Sequence, residues 1–212
     1  PVFYKKNRYG QVLSSSINKY IYVYLKSQNF LFKEKIRLNY SQTEIINDVS
    51  EIKNDIIREC LKFFKINEKI YIGTVSDIPS STGLGSSSSF TVGLLKALFK
   101  FKKKKVKAKE LAKIAAKIEM KLEKNFIGKQ DHYAAAFGGF NSFKFYNNGK
   151  VIRKNFSSNL NVKKLEKNIL LFYTGVTRSA KKLLKNQVKN YKNNSEHLNQ
   201  IKKDASDFEK II

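Results

Sequence analysis

Cysteine is almost absent from this chain of 212 residues. The single one, Cys60, cannot close an internal disulfide, so a disulfide-stapled secreted scaffold is excluded and a reducing cytoplasm is the expected location. Two prolines and ten glycines are too few for collagen-like or proline-rich linker architectures. No run approaches the ~18 uncharged apolar residues of a membrane span; the best, such as Ile169–Tyr173, are strand-sized, so no membrane partner is expected. No signal peptide is visible, and the chain opens on Pro1 rather than Met. Histidine occurs only at His132 and His197, and with Cys60 these give no zinc-ligand spacing. No serine sits in a Gly-x-Ser-x-Gly elbow, which leaves Ser-His-Asp hydrolysis without its nucleophile motif.

Acidic residues are scarce too, 17 against 42 basic ones, for a net charge of +25. The excess invites a nucleic-acid partner, but its make-up argues against one. Arginine, the better bidentate reader of phosphates and bases, stands only at Arg8, Arg37, Arg58, Arg153 and Arg178; the other 37 basic residues are lysines. They are spread along the chain, and the one dense block, Lys102–Lys105, has only Phe99 and Phe101 as aromatic neighbours. It reads as a solvated helix end. Hydrophobic residues at 42% and aromatics at 13% rule out wholesale disorder. The length suits one domain or two small ones around a sizeable core.

Periodicity predicts a mixed chain without regular βαβα alternation, an α+β class. Ile17–Leu25 reads as a strand with Phe30–Leu38 as its partner, and Asp48–Phe64 as an amphipathic helix with Cys60 as filler at its edge. Lys69–Ser76 is a strand, Phe90–Phe101 a buried helix and Ala108–Lys124 a lysine-rich amphipathic helix. A short helix is expected at His132–Ala136. Gly139–Tyr146 and Lys150–Phe156 flank the hairpin signal Asn147-Asn148-Gly149. A polar stretch at Ser157–Lys164 is the candidate domain boundary. Beyond it lie a strand at Asn168–Thr174 and helices near Thr177–Tyr191 and Ser195–Ile212.

The richest feature is the stretch from Pro79 to Ser89, Pro-Ser-Ser-Thr-Gly-Leu-Gly-Ser-Ser-Ser-Ser, between a strand and an apolar helix. Gly83 and Gly85 permit positive φ and close approach of backbone to a bulky anion. The free N–H groups and dipole of the following helix favour negative charge there. Ser86 to Ser89 add hydroxyls for phosphate oxygens or Mg²⁺. A serine-rich N-cap on an ordinary helix is the bland alternative, but a cap needs one serine. No Lys-Ser or Lys-Thr pair follows the second glycine, so this is not a Walker A loop, and a third glycine at the Rossmann offset is missing.

The loop resembles the second signature of the GHMP kinases, Pro-x-x-x-Gly-Leu-Gly-Ser-Ser, matched here by Pro79, Gly83, Leu84, Gly85, Ser86 and Ser87. Separately, Ile127–Asn141 (IGKQDHYAAAFGGFN) is similar to the acidic-loop region of the same superfamily, most like its heptose 7-phosphate kinase branch. Softer likenesses are Tyr9–Leu13 with Ile17–Val23, and Leu170–Ala180. The resemblance implies a fold with an N-terminal ribosomal protein S5 domain 2-like domain, residues 1–160, and the start of a ferredoxin-like α/β-plait domain, residues 161–212.

It further implies that Pro79, Ser81, Gly83, Leu84, Gly85, Ser86, Ser87 and Ser88 wrap the phosphates of ATP, that Ser87 and Glu119 hold Mg²⁺, and that Asp131 orients and deprotonates the acceptor hydroxyl. Lys129, Gln130 and Arg178 are candidates for the sugar phosphate, with Arg178 equally suited to a structural role at a helix start. At Glu123 and Phe126 the chain departs from the branch, which would have glycine and often proline there. Asp131 can also cap the short helix it precedes, and Glu119 alone would be an ordinary salt-bridge partner on a basic helix. The family's first and third signatures would precede Pro1 and follow Ile212, which makes a piece of a longer enzyme the expectation. The implied reaction moves the γ-phosphoryl group of ATP to the anomeric hydroxyl of a phosphorylated sugar. The alternatives are another GHMP kinase of fucose or galactose type, and a basic nucleic-acid-binding α+β protein.

Overall fold

The computed structural model describes residues 2–124, 126–175 and 180–212. Its first elements are helix α1 (Val2–Lys6) and strand β1 (Tyr9–Ser15), followed by β2 (Ile21–Ser27), β3 (Ile36–Asn39) and β4 (Thr43–Ile46). A 3₁₀ turn at Val49–Glu51 precedes α2 (Asp55–Phe64); β5 (Ile70–Ser76), α3 (Ser86–Phe101), α4 (Ala108–Leu122) and α5 (Gln130–Phe137) follow. The hairpin β6 (Phe140–Tyr146) and β7 (Val151–Asn155) leads into α6 (Leu160–Lys167), α7 (Ala180–Lys189) and α8 (Ser195–Ile211).

The strands form two sheets. One has the order β2-β5-β3-β4, with β3 parallel to β5 and the other pairs antiparallel. The other has the order β1-β6-β7 and is antiparallel throughout. Alternation along β3 and β5 turns Ile36, Leu38, Ile70 and Ile72 inward. They meet Ile57, Cys60 and Leu61 of α2, Leu94, Leu95 and Leu98 of α3, and Leu111 and Ala115 of α4 in the main core. Ala112, on another side of α4, joins Tyr4, Tyr133, Phe143 and Phe145 in a smaller aromatic cluster against the second sheet. The alanines at 112, 115 and 116 are all buried, which lets α4 pack closely on both sides. The site rests on this: α3, α4 and α5 are wedged between two sheets and have little room to shift.

Most expected elements are present, with edges moved. Asn54 caps α2 by accepting from the backbone N–H of Ile57, so that helix starts later than its periodicity suggests, behind the 3₁₀ turn. The segment expected as a strand over Phe30–Leu38 is extended only from Ile36; Phe30 and Leu31 are exposed. Cys60 lies in the centre of the core, not at its edge, and burial first, then the carboxylates of Glu119 and Glu59, push its thiol well above the ordinary range.

The strand expected at Asn168–Thr174 is a correction. Among the described residues they pair with no strand, and Ile169 to Tyr173 are all more than half exposed, at 57–79%. Local β-propensity does not make a strand where no ladder partner is at hand. The polar stretch at Ser157–Lys164 runs into α6, and α8 returns to lie against β1. There Glu209 accepts from Ser142 and Gln11 and pairs with Lys154.

Candidate active site

Strand β5 delivers the chain into the glycine-serine loop, and α3 begins immediately after it. Ser81, Gly83 and Gly85 all lie in the left-handed region, with φ of 63°, 81° and 73°. Glycine carries that conformation without strain at two of the three. Gly85 is the N-cap of α3, so no side chain caps the helix, and its first turn holds no acidic residue. A 16-residue helix thus presents bare N–H groups and the positive end of its dipole.

These groups open on a cleft of about 1330 Å³. Pro79, Ser81, Gly83, Gly85, Ser86, Ser87 and Ser88 line it from the loop and α3, Glu119 from α4, and Lys129, Gln130 and Asp131 from the start of α5. The Asp131 side chain lies directly against Gly85: a Cβ built on the glycine would stand 3.5 Å from Asp131 Cβ and 3.9 Å from Oδ2. Residues 46 positions apart in sequence are thereby brought together at the mouth of a helix. Leu84 is 46% exposed and does not line the cleft. Arg178 lies outside the described residues. Lys129 Nζ sits 5.4 Å from the centre of the Tyr4 ring. Burial, then the charges of Lys5 and Lys113, lower its ammonium pKa.

Behind the loop lies a buried polar cluster. Glu119 is only 4% exposed. Ser87 Oγ donates to its Oε1 at 2.7 Å, and Thr91 Oγ1 stands 2.5 Å from the same oxygen. His132 Nε2 is 2.9 Å from Oε2, with Ser88 Oγ 3.3 Å from both. A carboxylate only accepts, so Nε2 carries the proton of that bond. Burial by itself would raise the Glu119 pKa. The hydrogen bond and charge of His132, then the hydroxyls of Thr91 and Ser87, outweigh it and leave the carboxyl below its ordinary value.

The structure brings Ser87, Glu119 and Asp131 to one cleft and adds Thr91 and His132 to the cluster behind it. Thr91 is legible in the sequence: it stands four residues after Ser87, one helical turn along the same face. His132 has no zinc-ligand spacing with His197 or Cys60. A buried carboxylate is a partner of another kind, but nothing local in the sequence pairs it with that histidine. The oxygen pair of Ser87 and Glu119 suits a hard cation such as Mg²⁺. Among the described residues no group of three His, Cys, Asp or Glu side chains converges.

A compact α+β core whose glycine-serine loop opens an uncapped helix beside an acidic loop defines a class, and comparisons agree with it. Residues 39–139 match the GHMP kinases N terminal domain. The chain is 34% identical over 185 residues to a D-glycero-alpha-D-manno-heptose 7-phosphate kinase of Campylobacter jejuni, covering 81% of this chain and 54% of that protein. It is 27% identical over 104 residues to a mevalonate kinase of Saccharolobus solfataricus, covering 49% of this chain and 33% of that protein. Among solved structures, a D-glycero-D-manno-heptose 1-phosphate kinase from Bacteriodes thetaiotaomicron superposes with a TM-score of 0.62 at 29% identity, over 71% of this chain and 52% of that one. The chain belongs to the GHMP kinase superfamily. It spans about half the length of the heptose kinases it matches.

Proposed function

We propose that this chain supplies the nucleotide-binding part of an ATP- and Mg²⁺-dependent sugar kinase. In this reading the γ-phosphoryl group of ATP passes to the anomeric hydroxyl of a phosphorylated sugar. D-glycero-D-manno-heptose 7-phosphate is the acceptor that the relationship to heptose kinases favours. The carrying observation is the contact of Asp131 with Gly85 at the uncapped end of α3. A carboxylate there stands beside the place where helix N–H groups would hold a phosphate.

The chemistry asked of these residues is mostly positioning and charge neutralisation. The N–H groups of the Gly83–Ser88 loop and α3 bind and orient the phosphates. Ser87 and Glu119 would hold a Mg²⁺, whose charge would offset that of the nucleotide phosphates. Asp131 orients the sugar hydroxyl and accepts its proton as that oxygen bonds to the γ-phosphorus and ADP departs. Lys129 and Gln130, at the edge of the same cleft, contact the sugar phosphate. Residues 1–160 form the nucleotide-binding unit, and 161–212 belong to a second one. No described helix is long and apolar enough to cross a membrane. The lone Cys60 suits work in a reducing cytoplasm.

Asp131→Asn in the full-length kinase tests the assignment. Turnover should fall by about a thousandfold, within the ~10²–10⁴ that acid–base assistance supplies, while ATP binding stays within twofold. Normal turnover in that variant removes Asp131 from the role of base. Nucleotide binding should also be tightened by Mg²⁺ and survive moderate salt, whereas a nucleic-acid binder would lose affinity steeply with salt.

A further inference from the structure

Glu119, His132 and Asp131 are linked in a way the proposed function does not use. His132 is 1% exposed, and its Nδ1 has no hydrogen-bond partner among the described residues. All its polar contacts are at Nε2, to Glu119 on α4 and to Ser88 on α3. It is also the neighbour of Asp131 in the first turn of α5, and successive helical residues point roughly 100° apart. One turn of helix therefore directs a carboxylate toward the glycine loop and an imidazole into the core.

We propose that His132 is a positioning residue that locks the Glu119 carboxylate for a divalent cation and, through the first turn of α5, sets the distance from that cation to Asp131. The inference rests on the kinase function proposed above. Glu119 has two oxygens and two sets of partners. Thr91 and Ser87 hold Oε1, and His132 holds Oε2 at 2.9 Å, with Ser88 Oγ a longer second contact at 3.3 Å. With Oε2 fixed, Oε1 stays beside Ser87, where an ion shared with that hydroxyl would lie. Without it, the carboxylate can rotate about its terminal bond, a broad and weakly restricted torsion. The same bond pins the start of α5 onto α3 and α4, so Asp131 keeps its place against Gly85. Groups that hydrogen-bond a metal ligand commonly tune metal affinity by about 10–100-fold.

The probe is Mn²⁺ binding to the chain in the presence of ADP, followed by electron paramagnetic resonance, beside ADP binding without metal and the thermal midpoint. His132→Gln keeps an N–H donor at comparable reach, His132→Asn falls short of Glu119, and His132→Leu has none. The expected result is a Mn²⁺ affinity at least about tenfold weaker in His132→Asn and His132→Leu, recovery in His132→Gln, and metal-free ADP binding within twofold throughout. A purely structural histidine would instead lower the midpoint with no selective loss of Mn²⁺. Should His132→Leu fail to fold, the Asn and Gln pair decides alone. Equal Mn²⁺ affinity in His132→Asn and the parent chain overturns the positioning role and leaves the kinase function standing. Absence of Mn²⁺·ADP binding in the parent chain overturns both.

Discussion

Replacing Gly85 by alanine separates backbone strain from blockage of the phosphate site. Gly85 has φ +73°, and an added Cβ would meet Asp131 Cβ at 3.5 Å, an ordinary van der Waals contact. Nothing must move, so the folded state bears only the left-handed penalty of about 1–2 kcal/mol. Loss of unfolded-chain freedom returns about 0.4–1 kcal/mol. The net destabilisation is about 1 kcal/mol, or roughly 2–4 °C in Tm for a chain of this size. Gly149, at φ +85° in the hairpin far from the loop and with nothing within 4 Å of its would-be Cβ, provides the control. Gly149→Ala should cost a similar amount. Only in Gly85→Ala does the methyl group enter the space between helix N-terminus and Asp131, so only that variant should lose Mg²⁺·ATP affinity strongly, by tenfold or more on the order of one lost charge-assisted hydrogen bond. Thermal unfolding by circular dichroism and calorimetric titration of ATP measure the two effects. Equal ATP affinity in the two variants would refute the placement of the phosphate between Gly85 and Asp131. A fall in Tm well beyond 10 °C for Gly85→Ala alone would show that the contact with Asp131 is tight rather than ordinary.

Acid should unfold the protein through two buried glutamates. Burial raises the pKa of Glu44 and of Glu119, yet their hydrogen bonds win: for Glu44 the N–H groups of Lys53 and Asn54 and the hydroxyl of Tyr40, for Glu119 chiefly His132. Both carboxyls titrate below their unfolded value of 4.5, so the unfolded state binds more protons in between. Their stabilisation is complete above about pH 5 and drains away as pH falls through the folded values. Urea midpoints from pH 7 to pH 3 should drop steeply, and Glu44→Gln should flatten the curve; an unchanged slope contradicts the assignment. At the other end of the chain, Glu209 ties α8 to β1, β6 and β7 through Gln11, Ser142 and Lys154. Glu209→Ala should speed amide exchange across Ser195–Ile211 by at least tenfold with little change in α3, since a local latch is lost while the core stays packed. Uniform exchange throughout would show that α8 does not depend on that latch.

The elements and loop that could be read from the chain are those whose causes are local. The left-handed glycines, the serine run and the apolar helix lie within about twenty residues of each other, so strand, loop and helix follow from spacing alone. The hairpin at Asn147-Asn148-Gly149 is local in the same sense, with Tyr146 N–H donating to Lys150 O and Gly149 at φ +85°. Propensity misleads where pairing decides: Ile169–Tyr173 has strand composition but no strand neighbour among the described residues, and Cys60 lies deeper than periodicity suggests, because a helical period gives a face without a depth.

Sequence by itself therefore determined the α+β class, the glycine-serine loop at the head of a helix, and the acidic loop that marks the superfamily. Tertiary packing alone decided that Asp131 meets Gly85, and that Glu119 is gripped by Ser87, Thr91 and His132 inside the core. The reason is physical. Hydrogen bonds within a turn are fixed by backbone geometry over a few residues, whereas a buried carboxylate takes whichever donors the packing of three helices between two sheets brings to it.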